Sequence, residues 1–184
     1  LFDPRRFLEV CPGKARVYGL RTYLDAIEQC VALAPPGRVS LDPWVVNGEL
    51  VAGLEPASSS IAAVRWLAER GAIPTVCVFR PLVGTDLADA SPPAPEVALP
   101  IFQALYAECL AHGLPIGLAP NVHVSLVLLP EECRWLVQDP AVLRAAASGE
   151  RALAWKRLAF GTAFRTRRLL RRSRPSPRAV AAAP

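Results

Sequence analysis

The chain has no methionine in 184 residues, not even at position 1. Leu1 is bulky, and an initiator methionine ahead of it would be retained. The sequence therefore reads as beginning at an internal cut in a longer protein. It opens on Leu1-Phe2-Asp3-Pro4, without the charged-then-apolar pattern of a secretory leader. No stretch approaches the roughly 18 consecutive apolar residues of a membrane-spanning helix. The longest apolar run, residues 122–129, suits a buried strand. The five cysteines, Cys11, Cys30, Cys77, Cys109 and Cys133, include no C-x-x-C pair, and zinc-finger spacing is absent too. Their odd number and largely apolar surroundings suggest buried, reduced thiols of a cytoplasmic protein. Cys11 alone sits in a Pro-Gly turn; it is the one candidate for reactivity, against the plainer reading of a loop cysteine. There are only two histidines. His112 precedes Gly113 at a helix end, where a cation suits the dipole. His123 alternates within the 122–129 run and reads as structural. Phosphate-loop and Ser-His-Asp signatures are missing.

What is present argues for a globular body. The apolar fraction is 52% and the charged fraction 20%. The four tryptophans, Trp44, Trp66, Trp135 and Trp155, are scattered and read as packing residues. The net charge of +5 is an average over two unlike parts. Residues 1–149 hold 11 basic and 15 acidic side chains, whereas residues 150–184 hold 10 basic and 1 acidic. The body is mildly acidic and the tail carries the excess positive charge. Arg165, Arg167, Arg168, Arg171, Arg172, Arg174 and Arg178 are interspersed with Leu158, Phe160, Phe164, Leu169 and Leu170. That mixture suits weak contact with nucleic acid or an anionic membrane surface; a solvated tail without a partner is the plainer reading.

Residues 1–19 read as an irregular lead-in. Thr22 can cap a helix to about Ala34, with Leu24, Ile27, Val31 and Ala34 at helical spacing, stopped by Pro35-Pro36-Gly37. A short strand is expected at 50–54, a helix at 61–70 ended by Gly71, and a β-branched strand at 73–79. Together these form a β-α-β unit with parallel strands and a right-handed crossover. A Pro-rich loop follows to about residue 95. Then come a helix at 96–112, a strand at 122–129, a short helix from Pro130 to Val137 and a helical stretch at 140–170 with a potential break at Ser148-Gly149. Residues 173–184 read as disordered. The expected organisation is a body at 1–137, a helical extension at 138–172 and a tail at 173–184. Alternation of strand and helix implies an α/β fold with a parallel sheet, either a barrel or an open doubly wound sheet.

Ligands in such folds gather at the C-terminal ends of the strands. One end is Gly53-Leu54-Glu55-Pro56; the other runs from Phe79 through Arg80-Pro81-Leu82-Val83-Gly84-Thr85. Gly53 lets a ligand approach the backbone. Glu55 and Arg80 set opposite charges on rims of strands roughly 5 Å apart. They can address one small molecule, or simply pair with each other.

This ordered set resembles the second half of a radical S-adenosylmethionine (radical SAM) barrel, and is most similar to the biotin synthase-like branch. The likeness spans residues 1–113, including Leu1-Phe2-Asp3-Pro4 and the helix around Arg21-Thr22-Tyr23-Leu24-Asp25. It implies the C-terminal half of a partial (β/α)6 TIM-like barrel. S-adenosylmethionine and a [4Fe-4S] cluster would sit at the strand ends, and reductive cleavage would yield a 5′-deoxyadenosyl radical for hydrogen abstraction. It places Val51, Gly53, Phe79 and Pro81 beside the adenosyl group, with Glu55 and Arg80 as weaker candidates. In the family pattern the glutamate follows the glycine by three residues, whereas Glu55 follows Gly53 by two. The family's C-x-x-x-C-x-x-C cluster loop is absent, so the resemblance implies a missing N-terminal half as partner and a chain inactive alone. The substrate is unknown. The alternative is a non-catalytic α/β module with a basic docking tail.

Overall fold

The computed structural model describes residues 1–33, 46–114 and 127–172. Trp44, His123, the Pro35-Pro36-Gly37 stop and the 173–184 tail lie outside them.

The chain opens on helices, not on an irregular lead-in. Helix α1 spans Pro4–Val10 and α2 spans Pro12–Val17. Proline stands at the first position of each, where its missing N–H costs nothing. Asp3 caps α1 by accepting from the Arg6 N–H at 2.9 Å. Both helices are too short for apolar periodicity to register, so only the caps announce them. Gly19 (φ +71°) turns the chain into α3, Gly19–Leu33.

Strand β1, Asn47–Ala52, starts earlier than its apolar run because Asn47 and Glu49 alternate with buried Gly48 and Leu50. It ends at Gly53, whose φ of +101° leaves the extended region. Helix α4, Ala57–Glu69, takes Ser58 to Ser60 into its first turns. Strand β2, Ile73–Val78, lies parallel to β1, in register from Asn47 with Ile73 to Ala52 with Val78. The order strand, helix, strand and the parallel pairing are thus as expected, with the helix starting four residues earlier than read. Helix α5, Pro95–Ala111, follows a long loop. Strand β3 is Val127–Leu128; it stops one residue short of the expected end at Leu129, and residues 122–126 lie outside the described residues. It pairs antiparallel with β2, Val76 opposite Leu128 and Cys77 opposite Val127. The sheet order is β1-β2-β3. A 3₁₀ turn, Glu132–Leu136, leads to α6, Pro140–Arg172, which runs unbroken through Ser148-Gly149.

The two sheet faces differ. Gly48, Leu50, Ala52, Pro74 and Val76 point toward the helices. A Cβ on Gly48 would meet the Leu67 side chain at 2.5 Å, so glycine there sets how closely α4 packs. Val64, Leu67, Ile101, Leu105 and Val76 are at most 3% exposed and share one core cluster. Each such side chain contributes roughly 1.5–3 kcal/mol of burial. The opposite face carries Asn47, Glu49 and Val51 in register with Ile73, Thr75 and Cys77. Asn47 Nδ2 donates to Thr75 Oγ1 at 3.1 Å and to the Ile73 carbonyl at 3.2 Å.

Two expectations about side chains need correction. Only Cys109 and Cys133 are buried; Cys30 is exposed on α3 because its turn of the helix faces away from the body. Among the tryptophans, Trp66 packs, with the Phe2 ring at 5.9 Å and the Arg70 guanidinium 4.2 Å over it. Trp135 and Trp155 are 82% and 73% exposed, since neither the 3₁₀ turn nor α6 turns that side to the core.

Candidate functional site

The C-terminal tips of β1 and β2 lie side by side. The ladder continues one step past the strands, with the Phe79 N–H donating to the Ala52 carbonyl at 2.9 Å. Gly53 and Phe79 therefore occupy one rim. Pro81 is half-buried just beyond, while Arg80 is exposed. The loop after Phe79 is a chain of turns. Thr85 donates its hydroxyl to the Leu82 carbonyl at 2.8 Å, Gly84 has φ +82°, and Val83 is fully exposed. The loop then folds back over the rim, where a Cβ on Gly53 would lie 2.8 Å from the Pro93 ring.

Glu55 faces the other way. Its Oε2 accepts from the backbone N–H groups of Phe2 (2.7 Å) and Asp3 (2.8 Å), and its Oε1 from the Ser60 hydroxyl (3.0 Å). It is 6% exposed. The Arg6 Nε–H donates to the neighbouring Leu54 carbonyl at 2.8 Å. The carboxylate fastens the start of the chain to the tip of β1, and none of its three donors is Arg80. Sequence reasoning located Glu55 at the rim but not its partners, which lie more than fifty residues away. Ser60, one turn into α4, was the only local hint.

Val51 lies on the polar face of β1, in register with Cys77. It also lines a cavity of about 200 Å³ between the N-terminal helices and the open side of β1, where Phe7, Tyr23, Leu24 and Trp66 contribute. Gly53, Phe79 and Pro81 are not among its lining residues. The structure thus brings Gly53, Phe79 and Pro81 to one rim, sets Val51 beside a separate cavity, and turns Glu55 inward.

Metal ligation is poorly served. Among the described residues no group of three or more His, Cys, Asp or Glu is placed to hold an ion. Burial, with Glu132 and Glu131 adding to it, pushes the Cys133 thiol up to about 12. Cys109 is pushed up as well, by burial first and then by Glu131, Cys133 and Glu108. Burial also raises Cys77, aided by the charge and hydrogen bond of Glu49. These groups stay protonated near neutral pH, whereas cluster ligands must be thiolates. The described residues do not fit a [4Fe-4S] cluster. His112 ends α5, its Nε2 3.7 Å from Glu108.

No protein-family model matches the chain, and no solved structure does. Among curated proteins, a bacteriochlorophyllide c C-7(1)-hydroxylase from Chlorobaculum limnaeum is 31% identical over 90 residues. That match takes in 49% of this chain and 21% of the hydroxylase. The chain thus spans about a fifth of the relative's length. The likeness hints at radical SAM at a coarse level. No helix among the described residues is long and apolar enough to cross a membrane.

Proposed function

We propose that this chain is the C-terminal portion of a radical SAM enzyme, contributing one wall of a SAM pocket to a partial (β/α)6 barrel. The observation that carries the reading is the shared rim: two parallel strands end together, with Phe79 hydrogen-bonded to Ala52 and Gly53 beside it. The ordered motifs and the partial likeness to a hydroxylase point the same way. In this reading Gly53 offers bare backbone, Phe79 an apolar surface and Pro81 a fixed turn. Arg80, exposed at the rim, is available to an anionic group. Glu55 positions the rim from behind and does not touch ligand.

The cluster and its C-x-x-x-C-x-x-C loop belong to the N-terminal half of the barrel, which is the chain's first partner. Reductive cleavage of S-adenosylmethionine is an activity of the whole protein. The substrate that loses hydrogen is a small molecule of unassigned class, and the cytoplasm is the compartment that reduced thiols suit. The decisive experiment reconstitutes the whole protein anaerobically with iron and sulfide and assays for 5′-deoxyadenosine. Product that disappears with a Gly53→Val substitution supports the reading. A whole protein whose upstream sequence lacks the cysteine loop overturns it.

A second reading, a non-catalytic α/β module, is favoured by one contact. Pro93 already fills the approach to Gly53 that a ligand would use. Saturable SAM binding by the reconstituted protein, lost on Gly53→Val, separates the two.

A further inference from the structure

Helix α6 leaves the body early. Ala146 is buried at 1% and Val142 packs on the core, but farther along most described side chains stand in solvent, Ala163 being half-buried. Trp155 is 73% exposed, Leu158 62% and Leu169 66%. These three positions, with Thr162 and Thr166 between them, recur at helical spacing of three, four, four and three. They form one stripe four turns long.

The two threonines decide what this stripe can face. Thr162 Oγ1 donates to the Leu158 carbonyl at 2.8 Å, and Thr166 Oγ1 to the Thr162 carbonyl at 3.0 Å. Both hydroxyl protons are spent inside the helix. Removing water from the stripe therefore strands no hydroxyl donor, so it can enter an apolar medium at small desolvation cost. A phosphate-tracking surface needs the reverse, free donors turned outward.

Charge supplies the second half of the argument. Residues 150–184 carry 10 basic side chains and 1 acidic. Arg165 is exposed at the border of the stripe, long enough to keep its apolar stem down and its guanidinium in water. A cationic helix with a Trp/Leu stripe, in which no apolar span suffices to cross, matches a helix lying in the plane of a bilayer surface.

We propose that the second half of α6 is an interfacial anchor, with Trp155, Leu158 and Leu169 in the headgroup–acyl boundary of an anionic bilayer. The proposal is independent of the SAM reading, since the stripe shares no residue with the rim.

The test is flotation of the full chain with vesicles of phosphatidylcholine alone or with about one-third phosphatidylglycerol. The chain is expected to float with the anionic vesicles and stay behind with the neutral ones. Trp155→Glu combined with Leu158→Glu is expected to lower partitioning by about tenfold or more. Leu169→Glu, made separately, is expected to weaken it in the same direction. Helix content by circular dichroism should not change, because all three side chains are exposed. Trp fluorescence should shift to the blue on binding, and Trp155→Phe should remove that shift. Binding that ignores all three glutamates and vanishes in salt would overturn insertion. So would glutamate variants that abolish self-association or nucleic-acid binding while vesicle binding is absent throughout.

Discussion

Glu55 joins two parts of the chain through three hydrogen bonds, and among the described residues none of their donors comes from the rim. Truncation to alanine would leave two backbone N–H groups and the Ser60 hydroxyl short of an acceptor. Glu55→Ala is expected to destabilise the fold by about 1–3 kcal/mol, read as a lower urea midpoint. Gly53 is constrained twice over, by φ +101° and by the Pro93 ring. Gly53→Ala is expected to cost more than about 1 kcal/mol, and Pro93→Ala in the same chain to return part of it. The thiols sort by environment. Cys30 is expected to be alkylated quickly in the native protein, and Cys109 and Cys133 only on unfolding, followed by mass spectrometry. For Cys133 the folded value of about 12 lies above the ordinary 9.0, so the folded state holds its proton longer than the unfolded one. Its stabilising contribution is complete below pH 9.0 and lost as pH rises toward 12. Urea midpoints should therefore fall across that window, and by less in Cys133→Ala.

At the scale of elements, the segments readable in advance were those whose apolar pattern outlasts one or two turns. Helix α3, the β1-α4-β2 unit and α5 all repeat apolar residues long enough to show, and Gly71 and Gly113 end their helices as read. Their boundaries shifted where polar residues belong to the element. Asn47 and Glu49 are exposed on the polar face of β1, so the strand began before its hydrophobic run did. The short helices α1 and α2 went unread because six or seven residues carry no periodicity, though Asp3-Pro4 and Cys11-Pro12 are start signals. The antiparallel sense of β3 had no local mark, since strand direction is set by the path of the chain. The rim followed from sequence because strand ends are local; the inward turn of Glu55 did not, because its partners are remote. The α4–α5 layer is the structural centre, so Ile101→Ala, at a fully buried position, is expected to cost about 2–5 kcal/mol in thermal or urea unfolding.

For the molecule as a whole, β1 has a described strand neighbour on one side only. The other side borders the 200 Å³ cavity, with Gly48, Glu49, Leu50 and Val51 among its lining residues. An open edge of this kind invites pairing with another strand. The chain on its own is expected to self-associate at raised concentration. Val51→Lys, which places a charge along that edge, is expected to reduce light scattering without changing helix content.

The contact between Pro93 and Gly53 sets an entry toll for anything that would lie against the rim. If the proposed adenosyl group lies against Gly53, it and the proline ring cannot hold the same place, and binding would require Pro93 to give way. The observed dissociation constant then equals the intrinsic one divided by the fraction of molecules with Pro93 displaced. Shortening the ring to alanine would raise that fraction, tightening the ligand's grip while loosening the unliganded fold.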